Sequence, residues 1–369
     1  MNVSALHPID CDVHIPPPST AQLLPYLDPY WADMVRLRDI DGLDLTSYPP
    51  NAPLSCRPDW RGSDDALEGR RAHVLEPMDT SFAIGNCLHG AQAVFSEDLG
   101  AVLVSAVNQW LAAEWLDREP RLRASVVVHA ENAERAVEEI ERCADDPRFV
   151  QVLMLVTGRN PLGKRQYWPI YAAAERHGMA VGIHAGSLYH QPSSSVGWAN
   201  YFVEEYAGYA LSFQNQLLSL IAEGVFEKFP ALKVVLMESG FTWLPSFMWR
   251  AVKEWRAMRI EVPWVSRPPD QVIREHVRIT VQPLDAPPEA GRLQRVIEQI
   301  ACDDLLLFAT DYPHWHFDGD AVLPEAFPGN LVDAICLTNP RATFPRLADD
   351  QRMADARQAA ASISLNRGL

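Results

Sequence analysis

The sequence predicts an α/β protein built as a (β/α)8 TIM barrel with a long insertion after the first strand. Three observations predict it. Apolar runs and helical patterns alternate eight times along the chain. The runs are continuous, as in "VQVLMLV" and "LKVVLM", rather than alternating apolar with polar. Runs of that kind suit strands covered by helices on both faces. Finally, polar residues cluster at the C-terminal ends of four runs, the face on which barrels of this class carry their sites.

Taken in order, the expected strands are Ile9–His14, Phe82–Leu88, Arg123–His129, Val150–Val156, Ala180–Ala185, Lys233–Glu238, Val277–Gln282 and Leu305–Thr310. Helices are expected between them. Asp98 to Leu116 carries Leu99, Val102, Leu103, Ala106, Val107, Trp110 and Leu111 at spacings of three and four. Glu131 to Cys143 sets Ala133, Val137 and Ile140 against a charged face. Tyr167–His177, Leu211–Phe229, Leu244–Arg259 and Leu293–Ala301 continue the pattern. One barrel domain therefore spans 1–349, and 350–369 reads as a C-terminal tail.

The connection 15–81 is the outlier. It begins with Pro16-Pro17-Pro18, has a helical stretch at Trp31–Leu37, and continues as "SYPPNAPLSCRPDW". A loop of this length reads as a lid over the barrel mouth, shaping the pocket. The segment Ser187–Tyr209 is a second long, aromatic loop.

Composition narrows the function. Acidic residues outnumber basic ones 48 to 32, a formal charge of −16. Phosphate backbones and anionic membrane surfaces need clustered Lys and Arg, so neither is an expected partner. The six cysteines carry no CxxC pair, and Met1 to Pro8 has no signal-peptide pattern. A cytoplasmic protein, with a small molecule as substrate and a homodimer as a candidate assembly, is the expectation. No GxSxG, GxxxxGK[ST] or GxGxxG motif is present.

The chemistry-bearing residues lie at strand ends. "DCDVH" ends the first strand, with Asp12 and His14 two apart and so on one face. "GIHAG" places His184, "LMESG" places Glu238 and "FATDYPHW" places Asp311 and His314. Imidazoles and carboxylates converging from strands one, five, six and eight make a divalent metal site. His73, His129, His177 and His276 read as structural. His7 and His316 are left open.

These four motifs resemble the amidohydrolase superfamily, in particular the amidohydrolase-2 group related to aminocarboxymuconate-semialdehyde decarboxylase. The resemblance runs from strand one to about Leu347. It implies one ion held by Asp12, His14, His184 and Asp311. Two departures stand out. D-x-H replaces the usual H-x-H on strand one, resembling the E-x-H of the group's aromatic-acid decarboxylases. Glu238 stands where the family usually has a His. Three carboxylates around one cation favour zinc or manganese over copper.

Two reactions fit. In a hydrolase the ion activates water, and Asp311 takes the proton and passes it to the leaving group. Glu238 then holds a second water or a substrate hydroxyl, and His314 orients the substrate or the Asp311 loop. In a non-oxidative decarboxylase the ion holds the substrate's carboxylate. Repulsion between that carboxylate and Glu238, about 4 kcal/mol at ~4 Å and an effective dielectric of ~20, makes hydrolysis the favoured expectation. A non-catalytic ligand-binding barrel is the third reading. Tyr189, Trp198, Trp243 and Trp315 are the expected substrate-binding residues for a flat apolar group.

Overall fold

Eight parallel strands follow one another around a single sheet in strict chain order. They are β1 (Ile9–His14), β2 (Phe82–Asn86), β3 (Leu122–Val127), β4 (Phe149–Thr157), β5 (Ala180–Ser187), β6 (Val234–Met237), β7 (Val277–Thr280) and β8 (Leu306–Leu307). The computed structural model describes residues 3–43, 45, 56–62, 66–188, 191–287, 289–314, 323 and 327–348. Main-chain bonds close the barrel between the segment after β8 and β1. Cys11 N–H donates to the Phe308 carbonyl (2.9 Å), His14 N–H to that of Tyr312 (2.8 Å), and Asp311 N–H to that of Asp12 (3.0 Å).

β2, β3, β6, β7 and β8 are shorter than the sequence predicts, and for β8 and β6 the cause is visible. β8 stops at Leu307 because Thr310 turns to β1's side chains: its N–H and Oγ1–H both donate to the Asp10 carboxylate, at 3.1 and 2.6 Å. β6 stops at Met237 because Glu238 enters the left-handed region with φ 59°. Apolar periodicity does not register either event.

Helices cover the outside: Glu97–Leu111, Ala133–Ala144, Trp168–Arg176, Phe202–Ala222, Leu244–Met258, Pro269–His276 and Ala290–Ile300. The helix expected at Leu211–Phe229 begins nine residues earlier, at Phe202, so the aromatic loop ends sooner than predicted. It breaks after Ala222, and Gly224 at φ 82° leads into the short helix Val225–Lys228. Pro269–His276 was not expected, because its few apolar residues make a narrow stripe.

The described part of 15–81 carries Thr20–Leu23, Pro29–Leu37 and Leu67–Arg70. It meets the barrel at the C-terminal ends of β1 and β8. Arg70, only 1% exposed, donates Nε and Nη2 to the His14 carbonyl (3.2 and 2.8 Å). Its guanidinium also lies over the rings of Trp115 and Tyr312. His73 Nδ1 and the Tyr312 hydroxyl are 3.0 Å apart, and Trp60 stacks on His73. Residues 46–55 and 350–369 lie outside the described residues.

Arg71 ties the insertion to the turn before β3. Its Nε donates to Glu119 Oε2 (2.7 Å), while Arg121 Nε donates to Oε1 (2.8 Å). Burial works against the Glu119 charge, but Arg121 and Arg71 outweigh it and lower its pKa from 4.5 to about 2. Between those values the unfolded chain binds more protons than the folded one. The stabilisation is therefore complete above pH 4.5 and is lost as pH falls toward 2. In Glu119→Gln, unfolding free energy measured by urea titration should be lower at neutral pH and should lose part of this acid slope. An unchanged slope would mean that Glu119 does not carry it.

Candidate metal centre

Along β1, Asp10, Asp12 and His14 alternate with Cys11 and Val13, so the three polar side chains share one face. All of β1 is buried up to His14, so that face is the barrel interior. Asp10, the deepest of the three, accepts from Thr310 and from the Asp12 N–H (3.2 Å). Burial pushes its carboxyl up to about 7 against those bonds. It braces β1 against the segment after β8, beneath the site.

Above it, the strand-end residues named from the sequence converge. His14 Nε2 is 2.9 Å from Glu238 Oε1 and 3.0 Å from Asp311 Oδ1. His184 Nε2 is 3.4 Å from Glu238 Oε1 and 3.6 Å from Asp12 Oδ1. His314 Nδ1 is 2.9 Å from Asp311 Oδ1 and 3.3 Å from Glu238 Oε1. Two compact ligand groups result, sharing His14 and Glu238. One is Asp12, His14, His184 and Glu238; the other is His14, Glu238, Asp311 and His314. Glu238, read from the sequence as a residue beside the ion, thus stands at the centre.

Backbone geometry aims the two late carboxylates. Glu238 follows β6 directly and Asp311 comes four residues after β8, and both are left-handed, at φ 59° and 56°. A side chain there costs about 1–2 kcal/mol, and such strain persists only where the surroundings hold it. Asp311 is held by its N–H bond to Asp12, and Glu238 by its N–H bond to Thr280 Oγ1 (3.3 Å). Tyr206, from the helix Phe202–Ala222, donates its hydroxyl to Glu238 Oε2 (3.1 Å). That leaves Oε1 for the imidazoles. Tyr206 is missed from sequence because it falls in Ser187–Tyr209, read there as a loop; the helix that begins at Phe202 is what carries it to Glu238.

The electrostatics ask for positive charge. Burial alone would lower His184, but Glu238 and Asp12 outweigh it and lift it to about 9. Burial likewise opposes charge on His314, yet Asp311 and Glu238 raise it well above the usual imidazole range. Glu238 falls well below the usual carboxylate range despite burial, because His184 and His314 face it and His14 bonds to it.

The residues also fit a metal ion. Asp12 Oδ2, His184 Nε2 and Asp311 Oδ2 are buried with no hydrogen-bond partner. Each such atom costs about 1–3 kcal/mol if nothing satisfies it. His184 Nδ1 lies 2.7 Å from the Ala185 carbonyl, so Nδ1 carries a proton and Nε2 is left to face the carboxylates. Oxygen and imidazole donors with separations near 3.4 Å match ligand atoms at about 2.0–2.2 Å from one tetrahedral ion.

The expected substrate residues are less gathered. Trp243 donates its indole N–H to the Ser239 and Gly240 carbonyls and packs on Phe247. Trp198 is 68% exposed. Tyr189 and Trp315 lie outside the described residues. Of the histidines read as structural, His129 and His276 are buried and bond main-chain carbonyls, while His177 pairs with Glu141.

Known proteins supply the context. The chain is 25% identical over 272 residues to gamma-resorcylate decarboxylase of Rhizobium sp. (strain MTP-10005), covering 69% of this chain and 78% of that one. Its fold is similar to 5-carboxyvanillate decarboxylase from Sphingomonas paucimobilis, with TM-score 0.69, 20% identity and coverage of 92% and 99%. It is also similar to a dihydroxybenzoic acid decarboxylase from Polaromonas sp. JS666 with bound manganese and 2-nitroresorcinol, with TM-score 0.62, 18% identity and coverage of 92% and 96%. The sequence profile of the Amidohydrolase family matches residues 9–346, nearly the whole barrel, and the chain belongs to that family.

Proposed function

We propose that the chain is a metal-dependent non-oxidative decarboxylase of an aromatic carboxylic acid. One observation carries this reading over hydrolysis. The sequence argument against decarboxylation was repulsion between Glu238 and a substrate carboxylate. Glu238 Oε1 lies among the His14, His184 and His314 imidazoles, its Oε2 accepts from Tyr206, and the ion that His14 and His184 would hold sits beside it, so its charge does not stand free to repel a substrate carboxylate. The similarity to gamma-resorcylate decarboxylase supports the same choice.

Asp12, His14, His184 and Asp311 would hold one divalent ion, zinc or manganese, with the Glu238 carboxylate beside it. Bound there, the ion would polarise the substrate's carboxylate and a neighbouring hydroxyl oxygen. Asp311 delivers a proton to the ring carbon that bears the carboxylate. The bond from that carbon to the carboxylate breaks, its electron pair returns to the ring, and CO2 leaves. His314, bonded to Asp311 and 24% exposed, returns a proton from solvent to Asp311.

Hydrolysis uses the same groups in the opposite sense, with Asp311 accepting a proton from water. The two are separated with hydroxybenzoates in deuterated water. Decarboxylation releases CO2 and leaves one deuterium on the ring carbon. Turnover only of esters, lactones or amides, with water oxygen in the product acid, would overturn the proposal.

The carboxylates also separate by variant. Asp311→Asn keeps an oxygen but loses the proton, so kcat should fall about 10²–10⁴-fold while most of the metal is retained. Glu238→Gln removes charge from the point shared by both ligand groups, so its metal affinity should fall further than that of Asp311→Asn. Elemental analysis and steady-state kinetics read both. Near-native turnover of metal-loaded Asp311→Asn would contradict the proton assignment.

A further inference from the structure

Asp12 offers two oxygens, and the structure treats them differently. Oδ2 is buried without a partner, while Oδ1 accepts from Asn86 Nδ2 at 2.8 Å. Behind Asn86 runs a chain across the barrel interior. Ser125 Oγ–H donates to Asn86 Oδ1 (2.6 Å), and Gln151 Nε2 donates to Ser125 Oγ (2.7 Å) and to Asn86 Oδ1 (3.2 Å). The four side chains come from β1, β2, β3 and β4, and all are 0% exposed.

Three features show that the chain is built rather than incidental. The donors point one way: Gln151 to Ser125, Ser125 to Asn86, Asn86 to Asp12. Asn86 spends its carbonyl on Ser125 and Gln151, so its amide N–H has to face Asp12. The neighbouring strand makes room for it. A Cβ on Gly182 of β5 would meet Gln151 Oε1 at 2.8 Å and the Met237 methyl at 2.6 Å. And polar side chains occupy a barrel layer where Val, Ile and Leu pack best, although each buried polar group must find partners or cost about 1–3 kcal/mol.

We infer that Asn86, oriented by Ser125 and Gln151, is a positioning residue that grips Asp12 Oδ1 and so fixes the Asp12 carboxylate beside His184 Nε2, 3.6 Å away, in the orientation that meets the metal. The inference rests on the metal reading above. Without Asn86 the carboxylate could rotate about its Cβ–Cγ bond, and the ion would meet a ligand that has to be ordered on binding.

The test measures zinc and manganese dissociation constants by chelator competition, at a temperature where native protein and variants are folded. Asn86→Leu should weaken binding by about 10- to 100-fold, the usual consequence of removing a partner behind a metal ligand. Ser125→Ala, which removes only one hydroxyl, should weaken it by a smaller factor in the same direction and covers the case in which Asn86→Leu does not fold. Thermal melts of the metal-free proteins run alongside. Unchanged metal affinity in a folded variant whose metal-free melting temperature drops would make the chain merely structural and overturn the inference. Failure of the native protein itself to bind either metal would overturn the metal reading, and this inference with it.

Discussion

The charge on Glu238 Oε1 is the constraint around which the site is organised. Glu238 is one of three carboxylates, with Asp12 and Asp311, and all three are buried. Two like charges at that depth are costly, and three persist only with compensating positive charge close by. His14, His184 and His314 supply part of it, each from a different strand end. The unpartnered oxygens of Asp12 and Asp311 and the unpartnered Nε2 of His184 show that the compensation is incomplete without a cation.

The barrel meets this constraint through backbone geometry as much as side chains. Glu238 at the end of β6 and Asp311 in the segment after β8 are both left-handed, turning their carboxylates to the same imidazole of His14. Asp10 binds the segment after β8 to β1 just below, and Arg70 caps the carbonyl of His14 above. The insertion, the closure of the barrel and the site thus meet at one strand, β1. The pH limb assigned to Glu119 concerns the outer edge of that junction, where Arg71 anchors the insertion.

Much of this was legible in the sequence. The eight strands, their order and the convergence of Asp12, His14, His184, Glu238, Asp311 and His314 follow from apolar runs ending in polar residues. What was not legible has specific causes. Strand ends at Met237 and Leu307 depend on a left-handed φ and a side-chain bond from Thr310 to Asp10, which leave no mark on hydrophobic periodicity. Asn86, Ser125 and Gln151 each look like a single polar residue within a buried strand. Only register places them side by side. Tyr206 lies in a stretch that reads as a loop and folds as the first turns of the helix Phe202–Ala222. The surroundings of Glu238, three imidazoles and the Tyr206 hydroxyl, leave no mark on the sequence, so the repulsion that favours hydrolysis there has no visible counterweight.

The central claim is that these buried carboxylates and imidazoles are the coordination shell of one divalent ion. Anomalous diffraction from crystals of the manganese-loaded protein tests it most directly. The account predicts one strong peak among His14 Nε2, His184 Nε2 and the Asp12, Glu238 and Asp311 carboxylates. A peak elsewhere in the barrel, or none with the imidazoles still hydrogen-bonded to the carboxylates, would contradict it.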